Sequence, residues 1–279
     1  MQTITEVQRI AAFADGERGG NPAGVVIAEA LPDASAMQST AAEVGYSETA
    51  FAAPEKEVWR VRYFAPAIEV DFCGHATIAL GAALAAREGD AAFTLQLNQA
   101  RITVEARASG GKLEATLTSP RTWSRAADPD LVREALALFG WTQVDLDPRI
   151  PPAVAHGGAD HLVLVLKSRE RLAAMRYDFE AGRELALRAG LATFSLAFAE
   201  TPQLFHARNP FPAGGIYEDP ATGAGAAALV GYLRDLGWMR AGEIEILQGW
   251  DMGVPSRLRA LWTAEVGAGV RVSGAARWI

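Results

Sequence analysis

Tyr63-Phe64-Ala65-Pro66-Ala67-Ile68-Glu69-Val70-Asp71-Phe72-Cys73-Gly74-His75-Ala76-Thr77-Ile78-Ala79-Leu80-Gly81 is the stretch around which the chain is organised. It reads as a strand, a carboxylate-bearing turn and a Cys-Gly-His step into a helix of small apolar residues. Gly74 permits close backbone approach. The first N–H groups of the helix, at His75, Ala76 and Thr77, have no partner one turn back, and such a helix start suits an anion. The same grammar returns in Glu218-Asp219-Pro220-Ala221-Thr222-Gly223-Ala224-Gly225-Ala226-Ala227-Ala228-Leu229. Gly74 and Gly223 stand about 149 residues apart, roughly half the chain, which points to a duplicated half.

Other segments recur in the same order. Ser195-Leu196-Ala197-Phe198-Ala199 echoes Glu48-Thr49-Ala50-Phe51-Ala52, and Leu204-Phe205-His206-Ala207-Arg208 echoes the strand before Phe64. Between them lie alternating strand patterns joined by Gly- and Pro-marked turns, which favour hairpins and hence antiparallel or mixed sheets. Each pivot helix, about His75 to Arg87 and Gly223 to Asp235, is apolar nearly all round, so it must be buried on all sides. A helix threaded through a curled sheet, once per half, satisfies this. The fold class expected is therefore α+β: two similar domains, each a mostly antiparallel or mixed, barrel-like sheet around a central helix. The composition shift at Ser119-Pro120-Arg121-Thr122 sets the domains at 1–118 and 119–267, with the last strand, about 268–279, returning to the first half.

Composition bounds the function. Half of the 279 residues are apolar, enough for a large core, and the net charge of −7 with only three lysines argues against nucleic acid or an anionic membrane as the main partner. The longest apolar run, Ala76 to Ala86, is too short to span a bilayer. The N-terminus, Met1-Gln2-Thr3-Ile4-Thr5-Glu6, lacks the basic and apolar regions of a signal peptide, so the expected location is the cytoplasm. Cys73 is the only cysteine, which rules out an internal disulfide. His156, His161 and His206 are scattered without ligand spacing, so no metal site is expected. No P-loop, Rossmann fingerprint or nucleophile elbow occurs.

Several residues bear chemistry. Glu48 opens a strand among apolar residues, either partly desolvated and suited to moving protons or an exposed strand-end carboxylate. His75 sits at a helix start, where the dipole disfavours imidazolium: a neutral proton relay or a buried capping residue. Asp219 is set parallel to Asp71 in the repeat, and both, with Glu69 and Glu218, are either capping groups or substrate contacts. Backbone N–H groups at Gly74, His75 and Ala76, and at Gly223 and Ala224, would bind a carboxylate, or the glycines only serve tight strand-to-helix turns, which is the reading for Gly81 and Gly231. Cys73 is a thiol base or, with Thr222 in its place in the second copy, a small buried residue.

Taken together these motifs resemble the PhzF family of phenazine-biosynthesis-like isomerases, which share the diaminopimelate epimerase fold. The resemblance rests on Gly20-Asn21-Pro22-Ala23-Gly24-Val25-Val26, Tyr46-Ser47-Glu48-Thr49-Ala50-Phe51, Tyr63-Phe64-Ala65-Pro66 through Phe72-Cys73-Gly74-His75-Ala76, His156-Gly157-Gly158-Ala159-Asp160-His161, Glu218-Asp219-Pro220-Ala221-Thr222-Gly223, Glu245-Ile246-Leu247-Gln248-Gly249 and Val272-Ser273-Gly274. It implies a site in the cleft between the two domains, no cofactor and a homodimer. It implies that Glu48 shuttles a proton, that His75 and Asp219 orient and polarise a small carboxylic acid, and that Gly74, Gly223 and Ala224 lie at its carboxylate, to which the helix-start reading adds Ala76. Two departures stand out. Ala224 replaces a serine common in the family, and one cysteine replaces the opposed pair of the epimerase relatives. One base on one face suffices to move a proton along a molecule, whereas inversion needs two. The function expected is a cofactor-independent isomerase. The alternatives are an epimerase or racemase of an amino-acid derivative using Glu48 with Cys73 or His75, and a catalytically silent binding protein. The substrate itself is not legible in the chain.

Overall fold

The computed structural model describes residues 6–279, so the signal-peptide reading of residues 1–5 lies outside them. The chain divides into two compact units, Met1–Thr118 with Ser273–Ile279, and Ser119–Val272.

The first unit is a ring of strands. β1 (Gln8–Ala14) and β2 (Asn21–Ile27) form a hairpin. β2 runs parallel to β3 (Thr49–Glu55), and α1 (Ala34–Val44) makes the crossover that a parallel pair requires. β3 pairs antiparallel with β4 (Val58–Phe64), which carries the short β5 (Glu69–Val70) on its end. β4 then runs parallel to β6 (Ala91–Gln96), and antiparallel pairing continues through β7 (Arg101–Ser109) to β8 (Lys112–Thr118). The last strand of the chain, β17 (Arg271–Trp278), pairs with both β8 and β1 and closes the ring.

The crossover between parallel β4 and β6 is the pivot helix, α2 (Gly74–Glu88), and it runs inside the ring. Every residue from His75 to Ala85 is buried, as an all-apolar helix demands. Small residues set how near it lies to the wall: a Cβ on Gly81 would come within 2.7 Å of Val104 on β7. Ile78, Leu80 and Leu84 fill the remaining space, each contributing about 2 kcal/mol by burial. Outside the ring, α1 packs Met37 and Ala41 on Val26, Phe51 and Phe64.

The second unit repeats this succession. β10 (Ala153–His156) and β11 (Asp160–Leu166) form a hairpin, and β11 runs parallel to β12 (Thr193–Ala199). β12 pairs antiparallel with β13 (Leu204–Phe211), which carries the short β14 (Ile216–Asp219). β13 runs parallel to β15 (Gly242–Gln248), and β15 pairs antiparallel with β16 (Ser256–Trp262). The crossover between β13 and β15 is α6 (Gly223–Asp235), buried from Gly225 to Arg234. Three further helices, α3 (Pro129–Leu138), α4 (Arg169–Ala173) and α5 (Phe179–Ala189), cover the outer face, where Val132, Leu172 and Leu185 meet Leu162, Leu164 and Phe194.

Three short strands depart from the sequence reading. β9 (Trp123–Ala126), paired with β10, falls in a stretch assigned only to a boundary. β5 and β14 lie within what reads as carboxylate-bearing turns. Two- to four-residue strands are too short to show a period, and only the neighbouring strand defines them. No helix among the described residues is long and apolar enough to cross a membrane.

Candidate functional site

Two side-chain groups gather at the starts of the two pivot helices. Four of the six α-helices among the described residues begin with a side-chain cap: Asp33, Asp128, Ser168 and Asp178 each accept a backbone N–H of the first turn. The pivot helices do not. Cys73 and Thr222 hold the N-cap positions of α2 and α6, and neither makes a side-chain capping bond. The first helical bonds are Thr77 N to Cys73 O (3.0 Å) and Ala226 N to Thr222 O (2.9 Å). The N–H groups of Gly74, His75 and Ala76, and of Gly223, Ala224 and Gly225, precede them and carry the positive end of each helix dipole.

In the first unit, the Cys73-Gly74-His75 step is anchored from below. Thr77 Oγ1 donates to Cys73 O (2.7 Å), so its oxygen accepts from the buried Tyr63 hydroxyl (2.6 Å). Burial pushes the Tyr63 hydroxyl pKa far up, which keeps this phenol a donor. Above the step, Glu48 lies between the Tyr46–Ser47 bend and β3, just outside the strand. Its Oε2 is 3.4 Å from His75 Nε2, and its side chain is 16% exposed, so the carboxylate is mostly desolvated. Ser47 Oγ lies 3.3 Å from the same nitrogen. On the other ring nitrogen, Cys73 Sγ is 3.3 Å from Nδ1. A carboxylate can only accept, so Nε2 carries a proton toward Glu48, and the Cys73 thiol lies against Nδ1. Glu48, Cys73 and His75 present ligand atoms within 4.8 Å of one another. Cys73 Sγ is also 3.9 Å from Nε2, the nitrogen that Glu48 faces, so the three groups converge on that side of the ring. Ser47 escapes the sequence reading; its place beside Glu48 in Tyr46-Ser47-Glu48-Thr49 is the one signal that could have found it.

In the second unit, Asp219 ends β14 and is buried. Thr222 Oγ1 donates to Asp219 Oδ2 (2.5 Å). Gln248, at the end of β15, binds the same turn through three bonds. The strand pairings correct one alignment. Tyr63 faces Val70 across β4 and β5, and Asn209 faces Asp219 across β13 and β14. Arg62 forks onto Glu69 in one unit and Arg208 onto Glu218 in the other. Asp219 therefore stands in the place of Val70, not of Asp71, which is exposed and accepts from Gln99. Counting back four residues from Gly223 and from Gly74 gives the same pairing, and the Arg–Glu forks agree with it.

Known proteins share this architecture. The family model of the phenazine biosynthesis-like proteins, PhzC-PhzF, matches residues 10–279. A protein of Deinococcus radiodurans named as an uncharacterized isomerase is 32% identical over 91% of this chain and 86% of its own length. The trans-2,3-dihydro-3-hydroxyanthranilate isomerase of Pseudomonas chlororaphis is 30% identical over 95% of this chain and 94% of its own. Among solved structures, a PhzF-family phenazine biosynthesis protein of Bacillus anthracis superposes with a TM-score of 0.87 at 23% identity, covering 100% of this chain and 98% of the other. At that identity the likeness establishes the fold, which is diaminopimelate epimerase-like.

Proposed function

This chain belongs to the phenazine biosynthesis-like protein family and is an isomerase, and from that premise we propose that it moves a proton between two carbons of a small, unsaturated carboxylic acid. Glu48 takes the proton from one carbon and returns it to another, while the double bond shifts between them. Nothing is oxidised or reduced, so the step balances without a cofactor. His75 and Asp219 orient and polarise the substrate. The backbone at Gly74, Ala76, Gly223 and Ala224 receives the substrate carboxylate, and Ala224, lacking a hydroxyl, leaves that task to N–H groups. We further read the two compact units as the two domains of a cytoplasmic homodimer.

The observation that carries this reading is the pairing of a mostly buried Glu48 with His75 at 3.4 Å, beside a helix start that no side chain caps. Such a carboxylate sits next to an imidazole and the N–H groups of a helix start, the set needed to move a proton beside a bound acid. The test is exchange of substrate protons with deuterated water, followed by NMR. The first acid to try is trans-2,3-dihydro-3-hydroxyanthranilate, the substrate that the Pseudomonas relative's name gives. Wild-type chain should exchange and isomerise an acid of this class, and Glu48→Gln should do neither. Retained exchange in that variant removes Glu48 from the role.

A further inference from the structure

Gln248 ends β15, the strand that follows α6, 26 residues beyond Thr222, and is 1% exposed. Its amide orientation is settled by two backbone groups of fixed character. Thr222 N–H can only donate, and it donates to Gln248 Oε1 (3.1 Å). Asp219 C=O can only accept, and it accepts from Gln248 Nε2 (2.7 Å). The same NH2 group lies 2.9 Å from Thr222 Oγ1 and so donates its other proton there. The hydroxyl has then received a bond, and its single proton goes to Asp219 Oδ2 at 2.5 Å. Donation runs one way: Gln248 amide, Thr222 hydroxyl, Asp219 carboxylate.

This direction explains why Thr222 does not cap α6. A threonine at an N-cap ordinarily accepts from the N–H two or three residues on. Here Gln248 donates to its oxygen and its proton goes to Asp219, which together turn the hydroxyl away from the first turn, and it makes no such bond. The glycine after Gln248 supports the arrangement, because a Cβ on Gly249 would come within 2.9 Å of Pro220 O and 2.2 Å of Val254 O. Nothing bulkier fits under the Asp219–Thr222 turn.

We infer that Gln248 is a positioning residue that keeps the Thr222 hydroxyl on Asp219 and off the first turn of α6, so that Asp219 is held as an acceptor and the helix amides stay open for the substrate carboxylate. The inference rests on the proposed roles of Asp219, Gly223 and Ala224. It predicts that Gln248 acts on two parameters through one hydroxyl. In Gln248→Leu, Thr222 loses its donor, turns and caps the helix. In Thr222→Val there is no hydroxyl to turn.

The experiment is steady-state kinetics on trans-2,3-dihydro-3-hydroxyanthranilate, or on whichever acid of a panel exchanges a proton, with crystal structures of the variants. Gln248→Leu should raise KM and lower kcat, each about tenfold. Thr222→Val should lower kcat with KM within about twofold. The double variant should recover KM relative to Gln248→Leu while kcat stays low, and Thr222→Ser should stand near wild type. In the Gln248→Leu crystal, Thr222 Oγ1 should lie within about 3.2 Å of the N of Ala224 or Gly225. If Gln248→Leu does not fold, Gln248→Glu serves, since its carboxylate draws the Thr222 proton away from Asp219 and should lower kcat alone. A Thr222 hydroxyl that stays on Asp219 without Gln248, or a double variant no better in KM than the single, overturns the inference. Asp219→Asn separates the two levels. Full activity in that variant defeats the proposed role of Asp219, whereas an inactive Asp219→Asn beside wild-type behaviour in the Gln248 and Thr222 variants defeats only the positioning role.

Discussion

Arg208 grips Glu218 through two parallel bonds, Nε to Oε1 at 2.9 Å and Nη2 to Oε2 at 2.5 Å, with side chains 8% and 3% exposed. The remaining guanidinium nitrogen donates to Ala173 O at 2.8 Å. A buried fork of this kind costs a large desolvation penalty, and its geometry offsets that penalty only while both partners remain. Glu218→Gln should therefore destabilise the chain by roughly 3–5 kcal/mol in urea unfolding. The apolar pair Arg208→Met with Glu218→Leu should be closer to wild type than either single change. Equal losses from single and double variants would contradict this account.

His161 supplies a pH dependence. Its Nδ1 is 2.7 Å from Thr193 Oγ1, whose own proton goes to Asn209 Oδ1 at 3.1 Å. Nδ1 is thus the protonated nitrogen, and the buried Nε2 has no hydrogen-bond partner among the described residues. Burial pulls the His161 pKa down to about 4, against about 6.5 for a free imidazole. The unfolded chain therefore binds a proton that the folded chain refuses between those values. Its contribution is complete above about pH 6.5 and is lost as the pH falls toward 4, on the order of 1–3 kcal/mol. Denaturation from pH 7 to pH 4 should show this slope, and His161→Leu should flatten it.

Gly157 tests the packing of α6. A Cβ there would meet Ala228 N at 2.5 Å and Ala224 O at 2.8 Å, both backbone atoms that no rotamer change can move. Gly157→Ala should cost about 1–3 kcal/mol by displacing the helix. It should also impair turnover, because Ala224 belongs to the helix start. Gly140→Ala is the control. A methyl on Gly140 would have no neighbour within 4 Å, and the residue's φ is +66°, so the variant should lose only about 1 kcal/mol to backbone strain and keep full activity.

Cys73 separates two chemistries. Its thiol lies 3.3 Å from His75 Nδ1, where it orients the ring. If Glu48 alone handles the proton, Cys73→Ala should retain turnover within about tenfold of wild type. An epimerase using the thiol as a base would lose activity almost completely in that variant, and its wild type would invert an amino-acid derivative in polarimetry.

Much of this architecture is legible in the residues. The two Gly-led alanine helices announce burial on all sides, and Asp33, Asp178 and Gly190 mark helix ends where the structure has them. Glu48 and His75, singled out separately, do meet. What escapes is whatever depends on partners distant in the chain. Gln248 reaches the Asp219 turn only because β15 lies parallel to β13, and nothing near Gln248 advertises that contact. The Arg62–Glu69 and Arg208–Glu218 forks are likewise invisible until short strands bring them side by side, although the offset between Gly74 and Gly223 already sets Asp219 against Val70. Ser47 goes unnoticed because a serine beside a carboxylate is common in any bend.

The strand that completes the first ring has a consequence for synthesis. Residues 273–279 belong with the first unit, yet the ribosome makes them after all of the second unit. Until they are made, β1 and β8 lack the strand that pairs with both. Closure of the first ring therefore waits on the end of the chain, whereas β9 to β16 are all made before it.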